Sequence, residues 1–599
     1  MKRHRRISRR RGTVLVLVLV LIPVLALGGY AFTHAMRAET KASVVAMRQA
    51  HARWVADAGI QATLALLSDP SVFQQSVDFN DNPAAYAAQA VGTGSDGFKG
   101  AYSLVAPKDE NGSAIRYGLV SEGAKIPLVA GGKVQLTREG LMNVPGMTEE
   151  IADSLLDWLD RDDTARENGA ESNYYGGQSR PVQARNGQPL SLDELLQVRG
   201  VTPAVLYGSD ANLDGLPSSD EYQISPTFSR GLYQYFTVNS VADNRKADGT
   251  AKTNLNGGEA KTVAAAVKEE FGDAVAGYYI AYKTKNSNIP SISAMIDAEV
   301  EIDATQFESA VKQAELDPAT VFKALNLQYP IPMPPMPQGQ GGQGGQPAPG
   351  GGQGGGGGQP GGGGGAGGGG QQGGGQQSDG GGRGGAGSSA VSVTSGPGGA
   401  AVTTAGAQGG QGGPGGGAAT PPVKIASPWK AADAASYLDT ALANFSIDDS
   451  ETATGVIDVL NAPAVVLQVL PGVTPEIAEK INYAGTQRAS APLSAAFLLT
   501  ENAVTLEQFR QLEPLVTVTN RVFRLESVGF FDKPGPVARI EAIIDASGDV
   551  PKVVARRDLT PLGNGYPQEM LRSASTVPGK LGRAGDPVGL HGLNGPKRV

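Results

Sequence analysis

An apolar run follows Gly12 ("TVLVLVLVLIPVLALGG") and seven Lys or Arg precede it: Lys2, Arg3, Arg5, Arg6, Arg9, Arg10 and Arg11. A run of roughly 17 to 20 such residues spans a bilayer as a helix, with its basic flank on the cytoplasmic side. No A-x-A-like cleavage site follows Leu27, so the run does not read as an ordinary removable signal. The chain continues instead as "YAFTHAMRAETKASVVAMRQAHARWVADAGIQATLALL", rich in Ala, Gln, Met and Leu and free of Pro, with apolar residues at helical spacing. Thr13 to about Leu67 is therefore expected to be one helix, half of it in the membrane, with Pro23 disturbing its hydrogen-bond ladder.

A short basic leader ending in Gly, then one long helix with a wholly apolar first half, resembles the N-terminus of type IV pilins and of the pseudopilins of type II secretion. The resemblance implies cutting by a prepilin peptidase after Gly12, which makes Thr13 the first mature residue. Those families usually carry Glu at the fifth mature position, where a carboxylate neutralises a neighbouring amine inside the bilayer. Here that position is Leu17. Among type II pseudopilins, the member lacking this Glu is the minor pseudopilin K.

Of 599 residues 84 are Gly, many of them in one stretch. Residues 331–423 are mostly Gly, Gln, Pro and Ala, a composition that cannot bury a core and is expected to form a disordered loop. The structured chain is then two blocks, roughly 13–330 and 424–590. Closing so long a loop costs little additional entropy, so the blocks can pack together. The formal charge is −8, and losing the seven leader cations takes it to −15, a poor balance for gripping phosphates. With no Cys, disulfides, thiol catalysis and zinc–thiolate or iron–sulfur sites are excluded. The four His lie in the leader (His4), the long helix (His34, His51) and the Gly/Pro-rich tail (His591), which argues against His-based catalysis.

An internal repeat organises both blocks. "PGMTEEIA" (145–152) and "PGVTPEIA" (471–478) agree at six of eight positions, and "VRGVTP" (198–203) is a weaker third copy. In each, an apolar segment stops at a Gly able to take positive φ, and Thr caps the next helix. These read as helix–hairpin–helix units. Versions that bind DNA usually keep a second Gly where this chain has Thr148, Thr202 and Thr474, and they are basic. From Arg138 to Arg230 there is no Lys, and seven Arg face sixteen Asp or Glu. The units are expected to pack rather than bind nucleic acid.

The segment from Leu141 to Thr202 resembles the helical domain of the minor pseudopilin K family. It carries Leu141 through Gly146, the "DWLDRDD" of 157–163, the "GAESNYY" of 169–175, the "ARNG" of 184–187 and the "LLQVRGVT" of 195–202. The second block, with "VLPGVTPEIAEKI" and the alternating "RVFRLESVGFF", "ARIEAIIDAS" and "KVVARRDL", reads as a later hairpin and sheet strands.

Two acidic groups are candidate metal sites. "DANLDGLPSSDE" (210–221) fits a calcium loop: Asp210, Asn212 and Asp214 at positions one, three and five, Gly215 at the turn, the Leu216 carbonyl at seven and Glu221 at twelve. No clear helix follows it in the pattern, which suggests a lone structural loop. Asp160, Asp162, Asp163 and Glu171 gather at the end of the Trp158 helix, where carboxylates oppose the macrodipole unless a cation is present. The family resemblance implies that calcium helps hold this domain. A glycosidase pair has no supporting aromatic context.

The expected fold is α+β: a pilin-like long N-terminal helix with an antiparallel sheet and inserted helix–hairpin–helix α-domains. The expected segments are a leader (1–12), membrane segment and helix (13–67), strands and loops (68–136), a helical domain with the calcium loop (137–230), a further α+β segment (231–330), the Gly-rich loop (331–423), a second hairpin region (424–520) and C-terminal strands and tail (521–599). The expected role is that of a non-catalytic minor pseudopilin at the tip of a type II secretion pseudopilus. By resemblance its partners are minor pseudopilins I and J, other secretion-apparatus proteins and the prepilin peptidase. It would span the inner membrane once, with its bulk in the periplasm, structural Ca2+ bound and no nucleic acid. The alternatives are an exported DNA receptor of the competence type and a type IV pilus minor pilin.

Overall fold

The computed structural model describes residues 13–69, 71–74, 78–93, 99–108, 114–225, 227–331, 422–486, 494–532 and 535–572. The leader with Gly12, the Gly-rich stretch 332–421 and the tail from 573 lie outside the described residues. Helix α1, Thr13–Leu67, has the expected bounds and continues through Pro23. Among the described residues it is the one helix long and apolar enough to cross a membrane. Its N-terminal half presents exposed apolar side chains from Val14 to Phe32, whereas Ala52, Val55, Ala56 and Ile60 in its C-terminal half are buried against a sheet.

That sheet has seven strands: β1 (Gln89–Thr93), β2 (Lys99–Pro107), β3 (Ile115–Tyr117), β4 (Val120–Ser121), β5 (Val522–Phe531), β6 (Ala538–Asp545) and β7 (Lys552–Asp558). The order is β1-β2-β5-β6-β7, with β3 on β2 and β4 on β5, and every pairing is antiparallel. Strand β5, from the second block, is thus central: Ser527 stands opposite Leu104 of β2 and Ile540 of β6. The two blocks form one compact unit. A further antiparallel ladder pairs residues 299–303 with 422–426, Pro422 opposite Asp303, and so joins the chain on both sides of the Gly-rich stretch.

The faces of the sheet differ in chemistry because strand side chains alternate. On one face Leu104, Leu525, Ser527, Gly529 and Ile540 meet α1. A Cβ on Gly529 would come within 2.6 Å of the Ala56 amide, so this Gly is what allows the helix to lie on the strand, and Ser527 Oγ donates to the Ala56 carbonyl at 2.7 Å. Burying each of Val55 and Ile60 there contributes about 1.5–3 kcal/mol. The other face carries charge: Arg524 pairs with Glu541 at 3.1 Å and Arg539 with Glu526 at 2.6 Å. These polar side chains of β5 and β6 are not solvated: Arg524 and Arg539 are buried, Arg539 completely. The helical segment covers that face. Glu122, itself fully buried, accepts from Arg524 Nε at 2.7 Å and from Lys125 at 2.8 Å. Burial alone would raise its carboxyl, but Arg524 and Lys125 prevail and hold it down to about 2.

The helical segment shares one continuous apolar core with the second block: Leu141, Ile151, Leu155, Trp158, Tyr175, Leu195 and Leu206 belong to the same cluster as Leu470, Ile481, Phe497 and Phe509. The three repeat turns share one geometry: Gly146, Gly200 and Gly472 have φ of 83°, 84° and 72°. Thr148, Thr202 and Thr474 accept the amides of Ile151, Val205 and Ile477 three residues on. Each left-handed Gly ends an apolar segment and each Thr hydroxyl satisfies an otherwise orphaned amide of the next helix. Helix α2 (Arg138–Leu141) precedes the first turn, and the helices after the turns are α3 (Glu149–Leu159), α4 (Pro203–Tyr207) and, in the second block, Pro475–Thr486.

Candidate functional site

Helix α3 is held at its buried face by Asp153 and Asp157, both fully buried. Asp153 pairs with Arg138 and accepts the Asn168 amide, and Asp157 pairs with Arg166 and accepts its amide. These bonds fold the stretch 160–171 back onto the helix end. Asp160 closes the helix, with its Oδ2 accepting from Arg166 at 2.7 Å. Oxygens of Asp160, Asp162 and Glu171 then lie within 4.8 Å of one another. Asp163 faces elsewhere in part, its Oδ1 accepting the Ser172 amide at 3.3 Å.

This cluster carries polar atoms with no protein partner. Both carboxylate oxygens of Glu171, Asp160 Oδ1 and Asn186 Oδ1 are buried and accept nothing. Glu171 is only 3% exposed. Its burial, reinforced by the negative charges of Asp157, Asp160, Asp163 and Asp162, pushes its carboxyl up to about 7. Asn186 is aimed by its own backbone, which is left-handed at φ 46°, and by its Nδ2 donating to the Asp162 carbonyl at 2.8 Å. Three carboxylates gathered at a helix C-terminus, with the Asn186 side chain bonded to the Asp162 backbone beside them, would suit a hard divalent cation. The pattern of acids in the sequence points to Asp160, Asp162 and Glu171 and misses Asn186. Its one signal is the Asn-Gly pair of the "ARNG" stretch, a sequence fit for a left-handed turn.

The loop 210–221 is built differently. Asp210, Asp214 and Glu221 are each 3% exposed. Their carboxylates are engaged by the loop itself: Asp210 accepts the amides of Asp214 and Gly215, Asp214 that of Leu216, and Glu221 those of Ala211 and Ser218. Asn212 accepts the Asp214 amide and donates to its carboxylate at 2.9 Å. Gly215 turns at φ 70° against Pro107 of β2. A helix does follow the loop, α5 (Ser219–Ile224), begun by a capping box in which Ser218 and Glu221 satisfy each other's amides. Burial, then the neighbouring Asp214 and Glu221, pushes the Asp210 carboxyl up to about 7, a concentration of negative charge that a cation would relieve.

Residues 131–207 match the family of protein K of the type II secretion system (T2SS). A protein of Escherichia coli (strain K12) provisionally named type II secretion system protein K is 39% identical over 57 residues. Residues 131–207 thus form a domain of the type II secretion system protein K family. The aligned region spans 10% of this chain and 17% of that relative's length. The chain is also similar to a chain in the crystal structure of the GspK-GspI-GspJ complex from the Type 2 Secretion System of enterotoxigenic Escherichia coli. That alignment has 10% identity and a TM-score of 0.33, and covers 87% of this chain and 98% of the other. The K-family match ends before Asp210, so it contains Asp160, Asp162, Asp163, Glu171 and Asn186 and leaves the loop 210–221 outside.

Proposed function

We propose that this chain is a structural minor pseudopilin that sits at the tip of a type II secretion pseudopilus and helps nucleate and cap the fibre. The observation that carries this reading is the K-family match at residues 131–207, which falls on the helical segment covering the charged face of a helix-backed sheet. In this reading the helical hairpins are helix–hairpin–helix units used for packing, and the chain catalyses nothing. Helix α1 anchors the chain once in the inner membrane, with the bulk in the periplasm. A prepilin peptidase cuts after Gly12, so that Thr13 begins the mature protein. The absence of Glu at position 17 suits a subunit with none ahead of it. The partners are minor pseudopilins I and J, alongside the rest of the secretion apparatus.

In the same reading Ca2+ is structural. Asp160, Asp162, Glu171 and Asn186 would hold one ion, with Asp163 beside it, and the loop of Asp210, Asn212, Asp214, Leu216 and Glu221 would hold another. The ion supplies charge neutralisation and ties separate turns together, binding the folded chain in preference to the unfolded one. Co-purification of the full chain in detergent with minor pseudopilins I and J tests the assembly. A stoichiometric complex in Ca2+ is the expected result. Failure to form one, with salt-sensitive retention on duplex DNA instead, would replace this reading with the DNA-receptor alternative.

A further inference from the structure

The loop 210–221 is in the first block, but its backbone is held from the second. Arg539 of β6 is fully buried, and its guanidinium spans two consecutive loop carbonyls: Nη1 donates to Asn212 O and Nη2 to Leu213 O, each at 2.9 Å. Nε donates to Glu526 Oε1 of the adjacent strand at 2.6 Å, and Tyr566 Oη donates to Glu526 Oε2 at 2.8 Å. Gly565 packs directly on the guanidinium: a Cβ there would lie 2.8 Å from Cζ. The fork therefore has little freedom to move.

The two carbonyls belong to the third and fourth loop positions, between the side chains of Asn212 and Asp214. Leu213 is left-handed at φ 56°, a conformation costly for a side-chain-bearing residue unless its surroundings impose it. The Arg539 fork supplies that constraint at the residue joining two proposed ligands. Only a planar guanidinium can reach both carbonyls and Glu526 together. Glu526 offsets the positive charge of Arg539, which would otherwise repel a cation in the loop.

Resting on the reading of the loop as a cation site, we propose that Arg539 is a positioning residue for that site. It holds Asn212 and Asp214 in binding register, so that the loop's cation affinity depends on the C-terminal strands. Cation binding at 210–221 is then coupled to β6, which lies beyond the Gly-rich stretch in sequence.

The test is a Ca2+ titration of the full chain in detergent by calorimetry, in a Glu171→Gln background that silences the other acidic cluster. Substituting a residue that orients metal ligands typically weakens binding about 10- to 100-fold, so Arg539→Lys is expected to weaken the loop's Ca2+ affinity by at least about 10-fold. Glu526→Gln, which leaves the fork in place but removes its counter-charge, is expected to weaken it in the same direction. A change of less than about twofold in whichever of these variants folds overturns the proposal, even where unfolding temperature in EDTA falls. An Asp214→Asn chain that binds Ca2+ as the background does would show instead that the loop holds no cation, removing both the reading and the inference.

Discussion

Replacing Glu171 by Gln should stabilise the protein without calcium and destabilise it with calcium. Glu171 is buried, its two oxygens accept no protein hydrogen bond, and its carboxyl is pushed from an ordinary 4.5 up to about 7 by burial and by four surrounding Asp. Below pH 4.5 the native and unfolded states both hold the proton. Between 4.5 and about 7 the unfolded chain releases it while the native chain keeps it, so stability is lost as pH rises. Across that interval the loss is about 3 kcal/mol. At pH 8 in EDTA, Glu171→Gln should recover most of it, and at pH 4 the two proteins should be alike. Calcium reverses the order, because an ion at about 1,000 times its dissociation constant stabilises the parent by about 4.1 kcal/mol, more than the unpaired carboxylate costs. The variant lacks the carboxylate that receives it. Urea unfolding of the full chain in detergent, followed through the emission of buried Trp158, reads all four conditions. A variant less stable than the parent in EDTA at pH 8, or one that calcium stabilises equally, would refute the reasoning.

Other consequences follow from the sheet and the N-terminus. Arg524→Met leaves the buried Glu122 with Lys125 as its one cation and should cost about 3–5 kcal/mol in urea unfolding; a loss below about 1 kcal/mol would show that the pair contributes little. Because the folded carboxyl of Glu122 is held down to about 2, the parent keeps this stabilisation above pH 4.5 and loses it as pH falls toward 2. Arg524→Met should therefore flatten the acid limb of the stability profile. Gly529→Val drives a side chain into the backbone of α1 and should cost at least about 1–3 kcal/mol, with faster amide exchange at residues 52–60; unchanged exchange would mean that the helix does not rest on this strand. Intact-mass measurement of the membrane-extracted protein should find Thr13 first, and a chain beginning at Met1 would reject processing after Gly12.

What could be read from the residues was what local chemistry decides. The bounds of α1 follow from a long helix-forming stretch that runs on through its one Pro, Pro23, and the turns at Gly146, Gly200 and Gly472 follow from a Gly that alone takes positive φ cheaply, with a Thr placed to cap. The strand pattern of β5 and β6 shows that one face is polar, but it cannot show what covers that face. Glu122 and Tyr233, which meet Arg524, come from distant parts of the chain, and so do the carbonyls that meet Arg539. The two acidic groups show the same limit. Spacing makes 210–221 the clearer calcium loop, yet in a single twelve-residue turn the short Asp and Asn side chains reach nearby amides, and the carboxylates there are all engaged. Asp160, Glu171 and Asn186 come from three separate turns, and each keeps a buried oxygen that accepts no protein hydrogen bond. The feature that makes the set recognisable, carboxylates from separate turns gathered within 4.8 Å of one another, is absent from any short stretch of sequence.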